Sequence, residues 1–378
     1  MSKIAIIGPA YPYRGGPALV VANVYEHLVQ KQHDVRVFTF SRLYPSLLFP
    51  GVRQEDISKH PPKQHPVTRI IDSINPFTWL RAAKEIIAYK PDIVLVDWYQ
   101  PFFGACYRVI CSRLRKAGIR ILFLAENVIS HEARFVDSML TNMALSQADS
   151  YITFSQSVEE SLKQWYPAKH VTRTTLPLFY TQESSPVEWT QQSAKAHLGL
   201  EGKRVLLFFG YIRKYKGLRN LITSFATIAQ QFNDVELLIV GECYEDANEY
   251  TSLINQTGVA NRIRWINEYV PAEDVSMYYN AADIVVLPYI SATQSGIVKI
   301  AFGFGKPVVA TNVGGLTEEI LQWNAGIVVE PENNAELIRG ISTMLNAPNL
   351  DIYINGSHAA KEANSFGAIV HLIEQEIR

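Results

Sequence analysis

Short, continuous apolar runs alternate with longer amphipathic stretches along this chain, and the alternation happens twice, which leaves few folds open. In the first half the runs are 3–8 (KIAIIG), 34–40 (DVRVFTF), 92–98 (DIVLVDW), 119–127 (IRILFLAEN) and 150–155 (SYITFS). Their apolar residues are consecutive rather than alternating with polar ones, as expected of parallel strands buried on both faces. Helical patterns at 18–32 and 77–90 fall between them, so the spacing predicts βαβ units with crossover helices. The rhythm restarts at 204–212, 235–242, 262–270, 283–290, 306–315 and 325–331. Between the two sets, 176–192 is rich in Ser, Thr, Pro and Gln and poor in apolar periodicity, which marks a linker. The expected organisation of the 378 residues is two doubly wound α/β domains, 1–178 and 193–364. A final helix over 365–378 is expected to pack back on the first domain. Ligands of such sheets bind outside the strand C-terminal ends, so the site is expected in a cleft between two facing sets of βα loops.

Composition narrows the class. Hydrophobic residues make up 48% and charged residues 19%, the balance of a folded rather than a disordered chain. Cys106, Cys111 and Cys243 match neither a disulfide framework nor a zinc-ligand spacing. The apolar run after Met1 is too short for a signal-peptide core, and no stretch approaches a membrane span. The expected location is cytoplasmic, or peripheral at the inner face of a membrane. Residues 1–180 hold 21 Lys and Arg against 14 Asp and Glu, net +7, while the remainder is net −8. A basic half suits an anionic surface or a lipid-phosphate acceptor, and it equally suits a partner domain of opposite sign. Residues 107–116 are basic on one side and apolar on the other, although most such helices simply pack on their sheet. Nucleic acid is not expected as a partner.

Four βα loops carry candidate chemistry. Gly15-Gly16, after the first strand, lets backbone approach an anion at a helix N-terminus; an ordinary tight turn has the same composition. In 209–218, Arg213, Lys214 and Lys216 fall within four residues after a strand, so two of them can bracket a diphosphate. In 292–311, a helix is expected to begin at Ser295-Gly296 and to turn its N–H groups toward an anion. Small residues from Ala301 to Gly305 suit packing, whereas Thr293, Gln294 and Ser295 do not. In the fourth loop, 125–132, His131 can exchange a proton with a hydroxyl, or can cap the following helix. No Asp-x-Asp and no spaced His/Cys/carboxylate cluster occurs, so no metal and no other cofactor is expected.

With these loops in view, the sequence resembles the retaining glycosyltransferases of family 4, which share the two-domain GT-B fold of Rossmann-like domains. The resemblance covers nearly the whole chain. It rests on Gly15-Gly16, Arg213 with Lys216-Gly217, Val240-Gly241-Glu242, and above all 305–316 (GKPVVATNVGGL). It implies a nucleotide-sugar donor whose diphosphate is held by Arg213, Lys216 and backbone from Ser295 through Gly296 to Ile297. Glu242 belongs to the same donor set, and Tyr269 and Val270 are implied to flank the base. His131, Arg213 and Lys216 are the implied catalytic residues, although Glu126 stands where many members have histidine. The family usually carries two glutamates seven residues apart, and Ala292 and Ile300 occupy those places here. Thr293, Gln294 and Lys299 are the polar residues nearby.

The expected reaction is transfer of a sugar from a nucleotide diphosphate sugar to a hydroxyl acceptor, a glycan, a lipid-linked sugar or a small molecule. Retention and donor type follow from the resemblance, which fits polysaccharide or glycolipid biosynthesis. Asp97, Trp98 and Asn127 are candidate acceptor contacts, since Trp beside polar groups suits sugar stacking; core packing is the alternative for Trp98. Two other readings stay open. One is a catalytically degenerate homologue, and the other is a nucleotide-sugar epimerase using Glu126 and Glu132.

Overall fold

The structure, a computed structural model, describes all residues except 50, 60–64, 129–134, 179, 181–186, 293–294, 365 and 378. The chain forms two compact units. The first comprises Met1–Asp56, Lys63–Pro177 and Ser365–Arg378; the second comprises Ile57–Pro62 and Leu178–Asn364.

The sheet of the first unit holds β1 (Lys3–Ile7), β2 (Asp34–Arg42), β3 (Val67–Asp72), β4 (Ile93–Trp98), β5 (Arg120–Ala125), β6 (Ser150–Thr153) and β7 (His170–Arg173). Their order is β3-β2-β1-β4-β5-β6-β7, and every pairing is parallel. The apolar runs of the sequence are its inner strands; every residue of β4 is buried. Strands β3 and β7 were not foreseen. They lie at the two edges, are only partly buried, and so lack a continuous apolar run.

One face of this sheet carries an aromatic-rich core that includes Phe40, Trp98, Phe103, Tyr107 and Phe123. The helix Gly16–Gln30 and the C-terminal helix Phe366–Ile377 contact each other on the opposite side. Glu376 pins the latter: its carboxylate accepts from Arg120 Nη2 and Ser150 Oγ, each at 2.6 Å, and lies 2.9 Å from His170 Nδ1. Glu374 pairs with His33 Nε2 at 3.2 Å.

In the second unit the strands are β8 (Arg204–Phe209), β9 (Val235–Val240), β10 (Ile263–Ile266), β11 (Ile284–Leu287), β12 (Val308–Thr311) and β13 (Gly326–Val329). They run β10-β9-β8-β11-β12-β13, again all parallel. Two apolar clusters pack on this sheet. The doubly wound α/β class is therefore met in both units. In each, chain order reverses beside the first strand, between β1 and β4 and between β8 and β11. That reversal is where loops diverge and leave room for a ligand.

Candidate active site

The loop after β8 folds back on the sheet. Lys214–Lys216 makes one 3-10 turn and Gly217, at φ +66°, starts the helix Leu218–Gln231. A Cβ on Gly217 would lie 1.8 Å from the Pro288 carbonyl oxygen, so only glycine lets this loop meet the one after β11. The Tyr215 carbonyl accepts the Ile290 N–H at 2.6 Å and locks the two loops together.

This folding buries Lys216, 7% exposed, with its ammonium 5.6 Å from the Tyr289 ring centroid. The same ammonium lies 3.0 Å from where a Cβ on Gly210 would stand, and Ile297 Cδ1 lies 3.1 Å from that point. Arg213 lies over Tyr244, its Cζ 5.1 Å from the ring, and Tyr244 stacks on Tyr211 at 4.7 Å. Burial, and then the Arg213 charge, pull the Lys216 pKa down to about 8. Among the described residues, neither Lys216 nor Arg213 forms an ion pair with a carboxylate. Two cations thus bear on each other with, among the described residues, no carboxylate paired to either.

The helix Gly296–Gly303 begins beside them. Ser295 caps it, accepting the Ile297 N–H at 3.2 Å, and the Val298 N–H turns to the Ser295 carbonyl. The Ile297 N–H is therefore directed inward, toward the cap. Ser295 Oγ also lies 3.5 Å from Tyr289 Oη, which ties the helix start to the Lys216 environment. Glu242 is 6% exposed, and its carbonyl accepts the Ile212 N–H at 2.9 Å, joining the loops after β8 and β9. Tyr269 and Val270 are partly exposed in the loop after β10. Thr293 and Gln294 lie outside the described residues. Lys299 does not serve the site: it is 3% exposed and ion-paired with Glu319, which also accepts from Asn364 Nδ2. Ala292 and Ile300 are 8% and 6% exposed and offer no side-chain hydrogen bond.

In the first unit, Gly15 at φ +107° precedes the helix Gly16–Gln30. His131, like Glu132, lies outside the described residues. Trp98 is placed in the core, 1% exposed and 6.2 Å from Tyr107, because it points to the aromatic face of the sheet. The structure gives it a packing position, where the sequence allowed a sugar-stacking wall. Asn127 Nδ2 donates to the Tyr99 carbonyl at 3.3 Å, and Tyr99 Oη meets Tyr44 Oη at 3.0 Å.

Asp97 has a neighbour that sequence reasoning missed. It pairs in register with Leu124, and Glu126 follows two residues later, its N–H donating to the Trp98 carbonyl at 2.9 Å. The two carboxyls sit together at the head of the sheet. Burial first, and then Glu126, hold Asp97 well above the usual carboxyl range; burial raises Glu126. The sequence carries no signal for this pairing, which only the register of β4 with β5 creates.

The family described as "Glycosyltransferase Family 4" matches residues 14–175, and "Glycosyl transferases group 1" matches residues 203–347. An uncharacterised glycosyltransferase of Methanocaldococcus jannaschii is 24% identical over 361 residues, 91% of this chain and 89% of that one. The 2-deoxystreptamine glucosyltransferase of Streptomyces kanamyceticus is 26% identical over 166 residues, 44% of this chain and 42% of its own. Among solved structures, Anabaena HepE in complex with UDP and glucose superposes with a TM-score of 0.77 at 18% identity, covering 100% of this chain and 99% of that one. Sucrose-phosphate synthase from Thermosynechococcus elongatus gives 0.76 at 19% identity, covering 99% and 98%. One family description falls on each unit, the fold agrees, and the chain belongs to the family 4 glycosyltransferases of GT-B fold.

Proposed function

We propose that this glycosyltransferase moves a sugar from a nucleotide diphosphate sugar to a hydroxyl acceptor, with retention at the anomeric carbon, and that the second unit holds the donor. The observation that carries this reading is the buried Lys216 ammonium beside Arg213, with no carboxylate partner among the described residues. A diphosphate would supply the missing charge. Arg213 offers a planar fork and Lys216 a compact charge, and both stabilise the charge that grows on the departing nucleotide as the sugar bond breaks. These cations belong to the chain itself, so the reaction as proposed needs no metal ion. Ser295, Gly296 and Ile297 bring a helix N-terminus to the same place. HepE has been described with UDP and with UDP-glucose, so UDP-sugars are the first donors to test. His131 is proposed to contact the sugar or the leaving phosphate, and Asn127 to face the acceptor; Asp97, wholly buried, does not reach it.

One observation favours a second reading, a homologue that binds the donor without transferring its sugar. Ala292 and Ile300 place apolar side chains where the family has carboxylates. A panel of UDP-, dTDP-, GDP- and ADP-sugars, incubated with the protein in EDTA, separates the two. Transfer predicts a raised melting temperature with one donor and slow release of its nucleotide. Stabilisation without any release, with every acceptor tried, would select the second reading. No stabilisation by any of them would sink both.

A further inference from the structure

The head of the first sheet carries a polar row that the reading above does not use. Ile7 pairs in register with Phe38 on β2 and with Val96 on β4. The next positions are therefore Thr39, Gly8 and Asp97, on the face covered by the helix Gly16–Gln30. A Cβ on Gly8 would stand 2.7 Å from Val21 of that helix and 2.9 Å from Asp97 Cβ, so glycine makes the room in which the Asp97 carboxyl lies. Glu126 extends the row past β5. Thr39 and Asp97 are wholly buried, yet among the described residues Thr39 Oγ1, both Asp97 oxygens and Glu126 Oε1 meet no hydrogen-bond partner. Leaving a buried polar group unmet is costly, and more so when it is charged, so a cluster of them calls for an explanation. Glu126 is partly exposed and is the one member that can reach beyond the sheet.

Two buried carboxyls cannot both be ionised without a cation between them. The groups whose charge bears on Asp97 include Glu126, and the Asp97 charge in turn bears on Tyr99 and Tyr107, whose hydroxyls supply no positive charge. A single retained proton removes the conflict. The deeper residue, with both oxygens shielded, is the better place for it.

We propose that Asp97 and Glu126 hold one proton between them at neutral pH, and that this pair presents the Glu126 carboxylate to a hydroxyl of the sugar acceptor. Asp97 acts through Glu126 as a positioning residue: by staying neutral it leaves its partly exposed partner to ionise and accept a hydrogen bond. The hydroxyl-contact half rests on the glycosyltransferase reading; the shared proton does not.

Two measurements decide the two halves. Asp97→Asn removes the buried titrating group while keeping its shape. Where the native protein holds a proton that the unfolded chain has lost, stability falls as pH rises. The melting temperature of Asp97→Asn minus that of the wild type should therefore increase from pH 5 to pH 8, by at least about 5 °C. A difference that is flat with pH would overturn the shared proton, and it separates this effect from a packing defect, which shifts the curve without changing its slope. For the contact, methyl α- and β-glycosides of glucose, galactose and mannose are titrated by NMR into wild type and Glu126→Gln. The expected result is that a glycoside bound by the wild type loses at least fivefold in affinity, with UDP affinity unchanged. Equal affinity in Glu126→Gln, or binding of no glycoside by the wild type, would overturn the hydroxyl contact. Intact UDP binding in either case leaves the donor site standing.

Discussion

Lys216 is an ammonium enclosed by Tyr289, Gly210 and the loop that carries it, with the Arg213 charge bearing on it. Its pKa of about 8 gives the donor site a pH signature. The cation that attracts a diphosphate is present below that value and is lost as pH rises through it. UDP affinity is therefore expected to fall roughly tenfold between pH 7 and pH 9, and to be weak and flat with pH in Lys216→Met. Calorimetric titration across that range checks this, and a flat wild-type profile would count against Lys216 as a phosphate contact. Arg213→Ala should cost about 1.5–3 kcal/mol of the same affinity, the worth of a hydrogen bond to a charged group, while leaving the melting temperature of the free protein within a degree or two. The cations were legible in the sequence because Arg213, Lys214 and Lys216 follow an apolar run at once. The Asp97–Glu126 pair was not. Its members are far apart in the chain, and only the parallel register of β4 with β5 brings them together.

At the scale of elements, loops with no room to spare position the site. Gly217→Ala would drive a Cβ into the Pro288 carbonyl and strain a left-handed residue. It is expected to lower stability by at least about 2 kcal/mol and to abolish UDP binding, since the loops after β8 and β11 must part. Chemical denaturation and titration together check this. Wild-type stability in that variant would show that the two loops are not in contact.

The C-terminal helix offers a second test. Burial pushes the Glu376 carboxyl up, but the bonds from Ser150 and His170 and the Arg120 charge outweigh it, and the net shift is downward. A lowered carboxyl pKa contributes stability above the unfolded value, and that contribution is lost as pH falls through the folded one. Glu376→Gln is thus expected to cost about 1–2 kcal/mol at pH 7, discounted because Arg120 and His170 are largely exposed. The cost should shrink toward pH 4, as denaturant melts at several pH values would show. Inner strands were readable because both their faces are covered. Edge strands β3 and β7 were not, because one side of each is open and its residues are mixed.

For the whole molecule, the doubled βαβ rhythm held both sheets, and each family description falls on one of them. What sequence pattern does not carry is the commitment of particular side chains once the chain is packed. Lys299 stood beside the candidate loop and is spent on Glu319; Trp98 stood beside Asp97 and is spent on the core. The second unit is proposed to hold a nucleotide diphosphate sugar through Arg213 and Lys216. The most direct test of that proposal is calorimetric titration of UDP and UDP-glucose, in EDTA, into wild type, Arg213→Ala and Lys216→Met. The prediction is one site per chain in the wild type, weakened at least tenfold by either substitution. Unaltered affinity in both variants, or no binding of any nucleoside diphosphate by the wild type, would contradict it.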